Sequence, residues 1–557
     1  MKGSLPSTVA NALRVRDQRT LLLAGLTGAM TGVGVAAFEW VTRNKIFERI
    51  LQAPLPVQAA ALILGLALAA ISLRFAGRGA SPSTADEYIR NFHNRNRPMS
   101  LRPVVGRMLA GAATLGSGGA LGYEGPSLYL GASVGTAIQS RRPKWFTRAD
   151  NKVLMVAGAA AGVAAIFKAP ATGAIFALEV PYRDDTARHM LLPALVGAAT
   201  GYLAFVALIG TQPLFDVAGS PPFELRELGG AALLGLACGL AARGFALLIT
   251  YAKRIAGSVN PWLRTIVAGV TLAALLVASN QVFGEGLSSG SGYRTLEWVT
   301  QPGHSIGLVV ALLAFRVAAT TATLAGGGVG GLFIPLVIAG ALIGDAGALA
   351  MGDTSNLFPL IGVAAFLGAG YRTPLAGVVF VAEATGRPGF IVPGLIASVA
   401  SQLVMGDASV SPYQRAGRRG HLERRLLLPI SSVIRADVLT VPPDASLQEF
   451  YEHHLLLNRE TSVPVLDGQR YLGMISSDQL RRQPPERWAH TEVGDVLDAQ
   501  WPAASPDWTL ETALRAMDAA DVDAVPVLDE QRSFIGVVTS ADIVRLDEIL
   551  SSADDDA

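Results

Sequence analysis

Apolar stretches recur from Leu21 to about Met405, and they constrain the fold more than any other feature of the chain. The clear ones are 21–41, 56–75, 104–119, 152–166, 190–209, 228–250, 262–280, 306–325, 331–350 and 390–405. A hydrocarbon core of about 30 Å takes about 20 helical residues to cross, so several of these read as membrane spans. Composition agrees: of 557 residues 51% are hydrophobic and 16% charged, with mean hydropathy +0.40. Such a chain is too apolar to be soluble and too long for one compact domain. The 60 glycines suit helices that approach closely in lipid. Segments 128–138, 171–180 and 374–382 are apolar but too short to span. Short helices broken by Gly and Pro, at matching places in two halves, point to a transport site at the membrane midplane.

The halves do match. Gly122-Tyr-Glu-Gly-Pro126 has a counterpart in Gly331-Leu-Phe-Ile-Pro335, at an offset of 209. Pro170, Gly173, Phe176 and Glu179 align with Pro374, Gly377, Phe380 and Glu383 at an offset of 204. The expected fold is therefore an all-α membrane domain of two internal repeats, roughly 21–209 and 228–413, of inverted topology. Loop charges orient it. Arg141, Arg142, Lys144 and Arg148, then Lys253 and Arg254, then Arg415, Arg418, Arg419, Arg424 and Arg425, place those loops in the cytosol. Asp216, Glu224 and Glu227 place 210–227 outside. Residues 1–20, with Lys2, Arg14, Arg16 and Arg19 against Asp17, read as a cytosolic segment and not a cleaved signal. Both termini are then cytoplasmic, in a plasma membrane.

Near residue 430 the composition turns to that of a cytosolic α/β domain, itself repeated. Ser462–Ser476 matches Ala524–Thr539, and a helix is expected before each, over 445–458 and 509–520. Two β-α-β-β-α units follow, bounded as 426–488 and 489–550, with the membrane domain at 21–425 and an acidic tail at 551–557.

One carboxylate stands out. Glu124 lies in a glycine-rich segment just before an apolar helix, with Pro126 suited to its first turn. Free N–H groups and the positive dipole end meet there and attract anions. A carboxylate at such a point competes with a diffusible anion, which is the chemistry of a gate. An N-capping Glu is the alternative, but an ionisable residue at membrane depth marks function. The single cysteine, Cys238, excludes intrachain disulfides and cysteine metal sites, and the seven histidines form no metal motif. Net charge is +1, which gives no reason to expect nucleic acid. Gly326-Gly-Gly-Val-Gly-Gly331 satisfies GxGxxG, but no strand precedes it, so it is no dinucleotide site. No metal site and no required cofactor is expected, and the chain is not expected to be an enzyme.

Gly122-Tyr-Glu-Gly-Pro126 resembles the GREGP motif of the CLC family of chloride channels and proton-coupled chloride transporters, and Gly331-Leu-Phe-Ile-Pro335 resembles that family's GxFxP motif. Lys168-Ala-Pro170 through Glu179 is similar to the segment that follows the first motif, and the C-terminal repeat is similar to a tandem pair of CBS domains. The resemblance covers nearly the whole chain. It implies Glu124 as the gate, with backbone amides around Tyr123, Gly125, Phe333 and Ile334 facing chloride, and Tyr413 contacting the anion. The family's serine loop falls on Gly77–Thr84, which places an anion-binding hydroxyl at Ser81, with Ser83 or Thr84 as alternatives. Tyr123 stands where the motif has arginine. Glu179 falls on the first of two acids that proton-coupled members carry, and Val180 on the second. Glu124 and Glu179 are thus the proton-transfer candidates, and Asp184 and Asp185 read either as plain loop charges or as substitutes for the missing acid. Lys168 is left for pairing with Glu179. In the CBS pair, Thr539 and Asp542 fit a pattern that holds an adenosine ribose, with an unliganded dimerising module as the alternative.

The expected function is chloride-selective anion transport gated by Glu124, voltage- or pH-dependent and modulated by the CBS domains. Val180 favours a passive channel; a chloride/proton antiporter with another internal proton route is the alternative, and a nucleotide-sensing membrane receptor a third reading. Expected partners are chloride, the lipid bilayer and a second copy in a homodimer.

Overall fold

The computed structural model describes residues 7–94, 98–141, 152–212, 224–301, 303–353, 356–416, 426–457 and 461–546, with side chains from Gln18 onward. Arg142, Lys144, Arg148, Asp216, Arg418, Arg419, Arg424, Arg425 and the tail 551–557, used above for topology and boundaries, lie outside the described residues. The chain divides into two units, Met1–Gly417 and Arg418–Ala557.

The first unit is helical. Its first half holds α1 (Ser7–Glu39), α2 (Glu48–Leu51), α3 (Leu55–Phe75), α4 (Ala85–His93), α5 (Val104–Gly116), α6 (Glu124–Ser140), α7 (Val153–Phe167), α8 (Pro170–Glu179) and α9 (Leu191–Ile209). Its second half holds α10 (Leu225–Ser258), α11 (Pro261–Phe283), α12 (Tyr293–Val299), α13 (Ile306–Ala325), α14 (Phe333–Met351), α15 (Leu357–Tyr371), α16 (Pro374–Thr385) and α17 (Ile391–Met405). Among the described residues, 8 helical stretches are long and apolar enough to cross a membrane. A π-helical turn, Trp40–Phe47, joins α1 to α2.

Proline sets two starts. α8 and α16 begin at Pro170 and Pro374, where the missing N–H costs nothing. The helices before them end on Lys168 and Arg372, both left-handed at φ 54° and φ 59°. This corrects the expected pairing of Lys168 with Glu179. The Lys168 ammonium donates instead to the Gln212 carbonyl at 3.0 Å.

α7 and α15 are apolar all round and every residue of each is buried. Such helices belong in the interior of a bundle. Each is crossed by its neighbour at a pair of glycines. A Cβ on Gly131 would fall 1.9 Å from the Gly158 carbonyl oxygen, and one on Gly340 would fall 2.3 Å from that of Gly362. The two crossings keep the repeat offsets, 209 for α6 and α14, and 204 for α7 and α15.

The repeats are locked by reciprocal bonds. Glu179, at the end of α8, accepts from the Leu375 and Ala376 amides at the start of α16, at 3.2 and 2.9 Å. Glu383, on α16, accepts from the Ala171 and Thr172 amides of α8 at 2.9 and 2.7 Å. Likewise Thr114 Oγ1 accepts from the Val329 amide at 3.1 Å, and Thr323 Oγ1 from the Ala120 amide at 3.2 Å. Each bond is the image of the other under a two-fold operation.

In the second unit, strands β1 (Ser462–Asp467) and β2 (Arg470–Ser476) form one antiparallel hairpin, and β3 (Ala524–Leu528) and β4 (Phe534–Thr539) another. The first strand expected in each unit is reduced to single parallel bridges, Val441 to Val465 and Ala504 to Val527. The helix expected over 445–458 is a short α-helical turn, Leu447–Phe450, followed by a π-helical one, Tyr451–Leu457. The helix expected over 509–520 runs Leu510–Ala520 and is capped by the Thr509 side chain.

Candidate anion pathway

The two repeats meet at their matching motifs. Gly122 and Gly331 form an antiparallel bridge, each amide donating to the other's carbonyl, at 2.9 and 2.8 Å. Antiparallel pairing of equivalent residues is what a two-fold axis through the junction requires. The N-termini of α6 and α14 converge there.

Glu124, the first residue of α6, is buried at this junction. Its Oε1 accepts from the Phe333 amide at 2.6 Å, and the Ile334 amide also faces the carboxylate. Oε2 has no hydrogen-bond partner among the described residues. Gly122 and Gly331 wall the carboxylate in: a Cβ on either would meet a Glu124 oxygen, at 1.8 and 2.1 Å. Gly125 has no room for one either, with Thr84 Oγ1 at 2.5 Å and the Gly331 nitrogen at 2.7 Å. A carboxylate so enclosed loses most of its hydration, and amide dipoles are what remain to stabilise its charge.

A cavity of about 660 Å³ reaches the junction from one face. It is lined by Gly79–Glu87, Lys253, Arg264, Gly330–Leu332, Tyr371 and Tyr413. Of the three hydroxyls proposed from sequence, Thr84 sits deepest. It is 1% exposed, beside Gly125, and its Oγ1 lies 3.4 Å from the Gly330 carbonyl. Ser81 is engaged elsewhere: its hydroxyl and carbonyl accept from Arg107 at 3.2 and 3.1 Å. Ser83 donates to Asp86 at 3.0 Å. Thr84 thus faces the junction, whereas Ser81 faces Arg107 on α5.

Tyr413 also lines the cavity. Its ring is half exposed at the cavity mouth, under the Arg90 guanidinium at 5.1 Å. The tyrosine at the deep end is Tyr371, which is buried and lines the cavity with Leu332. It closes an aromatic cluster in which Phe176 meets Phe333 and Tyr371, both at 5.3 Å, and Phe333 meets Phe167 at 4.3 Å. Tyr123 is buried against Phe38.

Glu179 uses both oxygens on the α16 amides, and the buried Val180 has no ionisable group there, its carbonyl accepting from Gln414 at 2.9 Å. Asp184 pairs with Arg372 at 2.5 Å, and Asp185 accepts from the Thr186 amide, as loop charges do.

Two arginines went unremarked in the sequence. Arg107 is buried and binds Ser81, Glu87 and Tyr129, holding the loop before α4. Arg316 is buried and its Nη1 donates to the carbonyls of Leu287, Ser288, Ser289 and Gly290, holding the loop before α12. Their separation is 209, the motif offset, and that was the signal that would have found them.

In the second unit the Thr539 hydroxyl donates to Asp542 Oδ2 at 2.6 Å, and Arg435 Nε reaches the same oxygen at 3.1 Å. One oxygen of the carboxylate expected to hold a ribose is thus bonded within the unit. Among the described residues no group of acids, histidines and cysteines could hold a metal.

Two interlocked inverted helical halves, with helix N-termini and one carboxylate at their junction, define an integral multi-pass membrane protein that moves anions. The chain belongs to the voltage gated chloride channel family, or CLC family, whose model matches residues 64–406, and CBS domain models match 430–486 and 493–548. It is 26% identical over 437 residues to the "H(+)/Cl(-) exchange transporter ClcA" of Cronobacter sakazakii, covering 72% of this chain and 91% of that one. Its fold is similar to a slow cyanobacterial Cl-/H+ antiporter, with TM-score 0.62, 20% identity, and 70% of this chain and 94% of that chain covered. It is also similar to a eukaryotic CLC transporter, with TM-score 0.60 and 16% identity, over 94% of this chain and 98% of that one. Members of the family are transporters or channels, and the chain is not an enzyme.

Proposed function

We propose that the chain exchanges chloride for protons through a pathway that Glu124 closes and opens. One observation carries this reading: the Glu124 carboxylate takes the Phe333 amide, a donor that a permeating halide at the junction of α6 and α14 would need. Protonation removes the carboxylate's charge and weakens its hold on that amide. Chloride then takes its place, bound by helix-end partial charges and the Thr84 and Tyr371 hydroxyls. Such a site is weak enough to release its ion, as conduction demands. The relative named as an exchange transporter supports coupling over passive conduction. Val180 supports the second reading, a passive channel.

Glu179 is assigned to positioning α16, so the proton from the cavity side is routed through the cavity to Glu124. The cavity is assigned to the cytoplasmic face because Arg90, Lys253 and Arg264 line it. By the same rule both termini are cytoplasmic, in the plasma membrane. Residues 21–425 form the transport domain, and 426–488 and 489–550 a CBS pair that modulates it within a homodimer. An adenine nucleotide at Thr539 and Asp542 would have to displace Arg435.

The test is proton movement in liposomes holding the purified protein, under a chloride gradient with no proton gradient. Uphill proton flux that disappears in Glu124→Gln establishes exchange. Chloride flux without proton flux makes the protein a channel, and no anion flux overturns the reading.

A further inference from the structure

The two-fold relation that pairs α4 with α12 puts Tyr293 at the position equivalent to Thr84, again at the offset of 209. There the π-helical turn Trp40–Phe47 brings up charge from the first helix. Arg43 lies over the Tyr293 ring at 5.4 Å and pairs with Glu39 at 3.3 Å. Glu39 is nine-tenths buried, and its Oε2 has no hydrogen-bond partner among the described residues. Arg43 is half exposed. A π-turn adds a residue to one helical turn and redirects its side chains, which is why such turns recur at functional sites. Phe38, the residue before Glu39, packs edge-on against Tyr123 at 6.4 Å, so the charged pair lies beside the first motif and its Glu124. The cavity has a matching device: Lys253 of α10, the first helix of its own half, pairs with Asp86 at 2.6 Å beside Thr84. Tyr123, standing where the first motif has arginine, leaves its own position without a cation. Arg43 supplies one from a different helix.

We propose that Arg43 is the cation that admits small monovalent anions at the mouth opposite the cavity, and that Glu39 is its resident competitor. The carboxylate holds the guanidinium until an incoming halide displaces it. The half-exposed guanidinium raises the local anion concentration, and the buried carboxylate keeps it from trapping the ion. This rests on the reading of Glu124 as the gate of an anion pathway.

The experiment measures initial chloride flux in liposomes against chloride concentration on each side, for the full chain and for Arg43→Gln, Arg43→Lys and Glu39→Gln, at low and high ionic strength. Arg43→Gln is expected to raise the half-saturating chloride concentration on one side about 5- to 10-fold with the maximal rate unchanged, the shift shrinking at high salt. Arg43→Lys should restore most of it. Glu39→Gln should lower half-saturation on the same side, and it tests the proposal independently of whether Arg43→Gln folds. Unchanged half-saturation on both sides, or a change confined to maximal rate, overturns the role of Arg43 while leaving Glu124 as the gate. A wild-type chain that moves no chloride overturns both.

Discussion

Replacing Thr84 with valine separates the two hydroxyls that compete for the anion site. Valine keeps the shape and branching of threonine, so the 1% exposed position stays filled. The hydroxyl's hydrogen bond to the Gly330 carbonyl is 3.4 Å long and contributes little. Stability should therefore move by less than about 1 kcal/mol. Toward a bound halide the loss is larger. A hydrogen bond to a charged partner contributes about 1.5–3 kcal/mol net. At about 1.4 kcal/mol per factor of ten, chloride binding should weaken roughly 10- to 150-fold. Ser81→Ala is the control. Arg107 loses one acceptor but keeps the Ser81 carbonyl, Glu87 and Tyr129, so binding should stay within about threefold, a shift of less than ~0.7 kcal/mol. Calorimetric titration of chloride into purified protein reads both constants directly. If Ser81→Ala weakens binding as much as Thr84→Val, or if Thr84→Val lies within twofold of wild type, the assignment from depth and partners is wrong.

Four further outcomes follow from the same geometry. Glu124→Gln should still pass chloride but carry no protons, which a pH electrode reads outside chloride-loaded liposomes. Glu179→Gln and Glu383→Gln should each cost about 1–3 kcal/mol by weakening charge-assisted bonds at a helix start. Thermal unfolding in detergent should show similar drops for both, and a drop for one alone would break the symmetry argument. Arg316→Met removes the donor shared by the carbonyls of Leu287–Gly290, so limited proteolysis should cut that loop faster than in wild type while sparing 77–84. Arg435→Ala frees Asp542 of its ion pair, and the second unit should then bind ATP more tightly than wild type by calorimetry.

The repeat was legible because both motif pairs keep a constant offset, and the same arithmetic reached further than the motifs. Arg107 with Arg316, and Thr114 with Thr323, also stand 209 apart. They were passed over because an arginine or threonine in an apolar run carries no signal until its loop partner is known. α4 and α12 left no apolar run, since one lines the cavity with Asp86, Glu87 and Arg90 and the other is only seven residues long. α15 is apolar but is interrupted by Pro359, Gly362 and Gly368, which blurs it as a span. The choice among Ser81, Ser83 and Thr84 depends on the turn that opens α4, and three hydroxyls within four residues do not reveal it. Tyr413 matched by order along the chain, whereas depth in the cavity belongs to Tyr371, at the end of a buried helix. The π-turn at Trp40–Phe47 has no sequence signature, so the pairing of Glu39 with Arg43 could not be read in advance.

The exchange of caps between Glu179 and Glu383 bears on how the chain is made. When α8 leaves the ribosome its first amides have no partner, and the residue that will receive them is synthesised about 200 positions later. Until then the first half carries an open helix start into the lipid, where unpaired amides are costly. Neither half is a finished product, and a nascent chain stopped between them would be a substrate for membrane quality control. Maturation should therefore appear as one late step after residue 383 is inserted, with fragments of either half recovering only when both are supplied together.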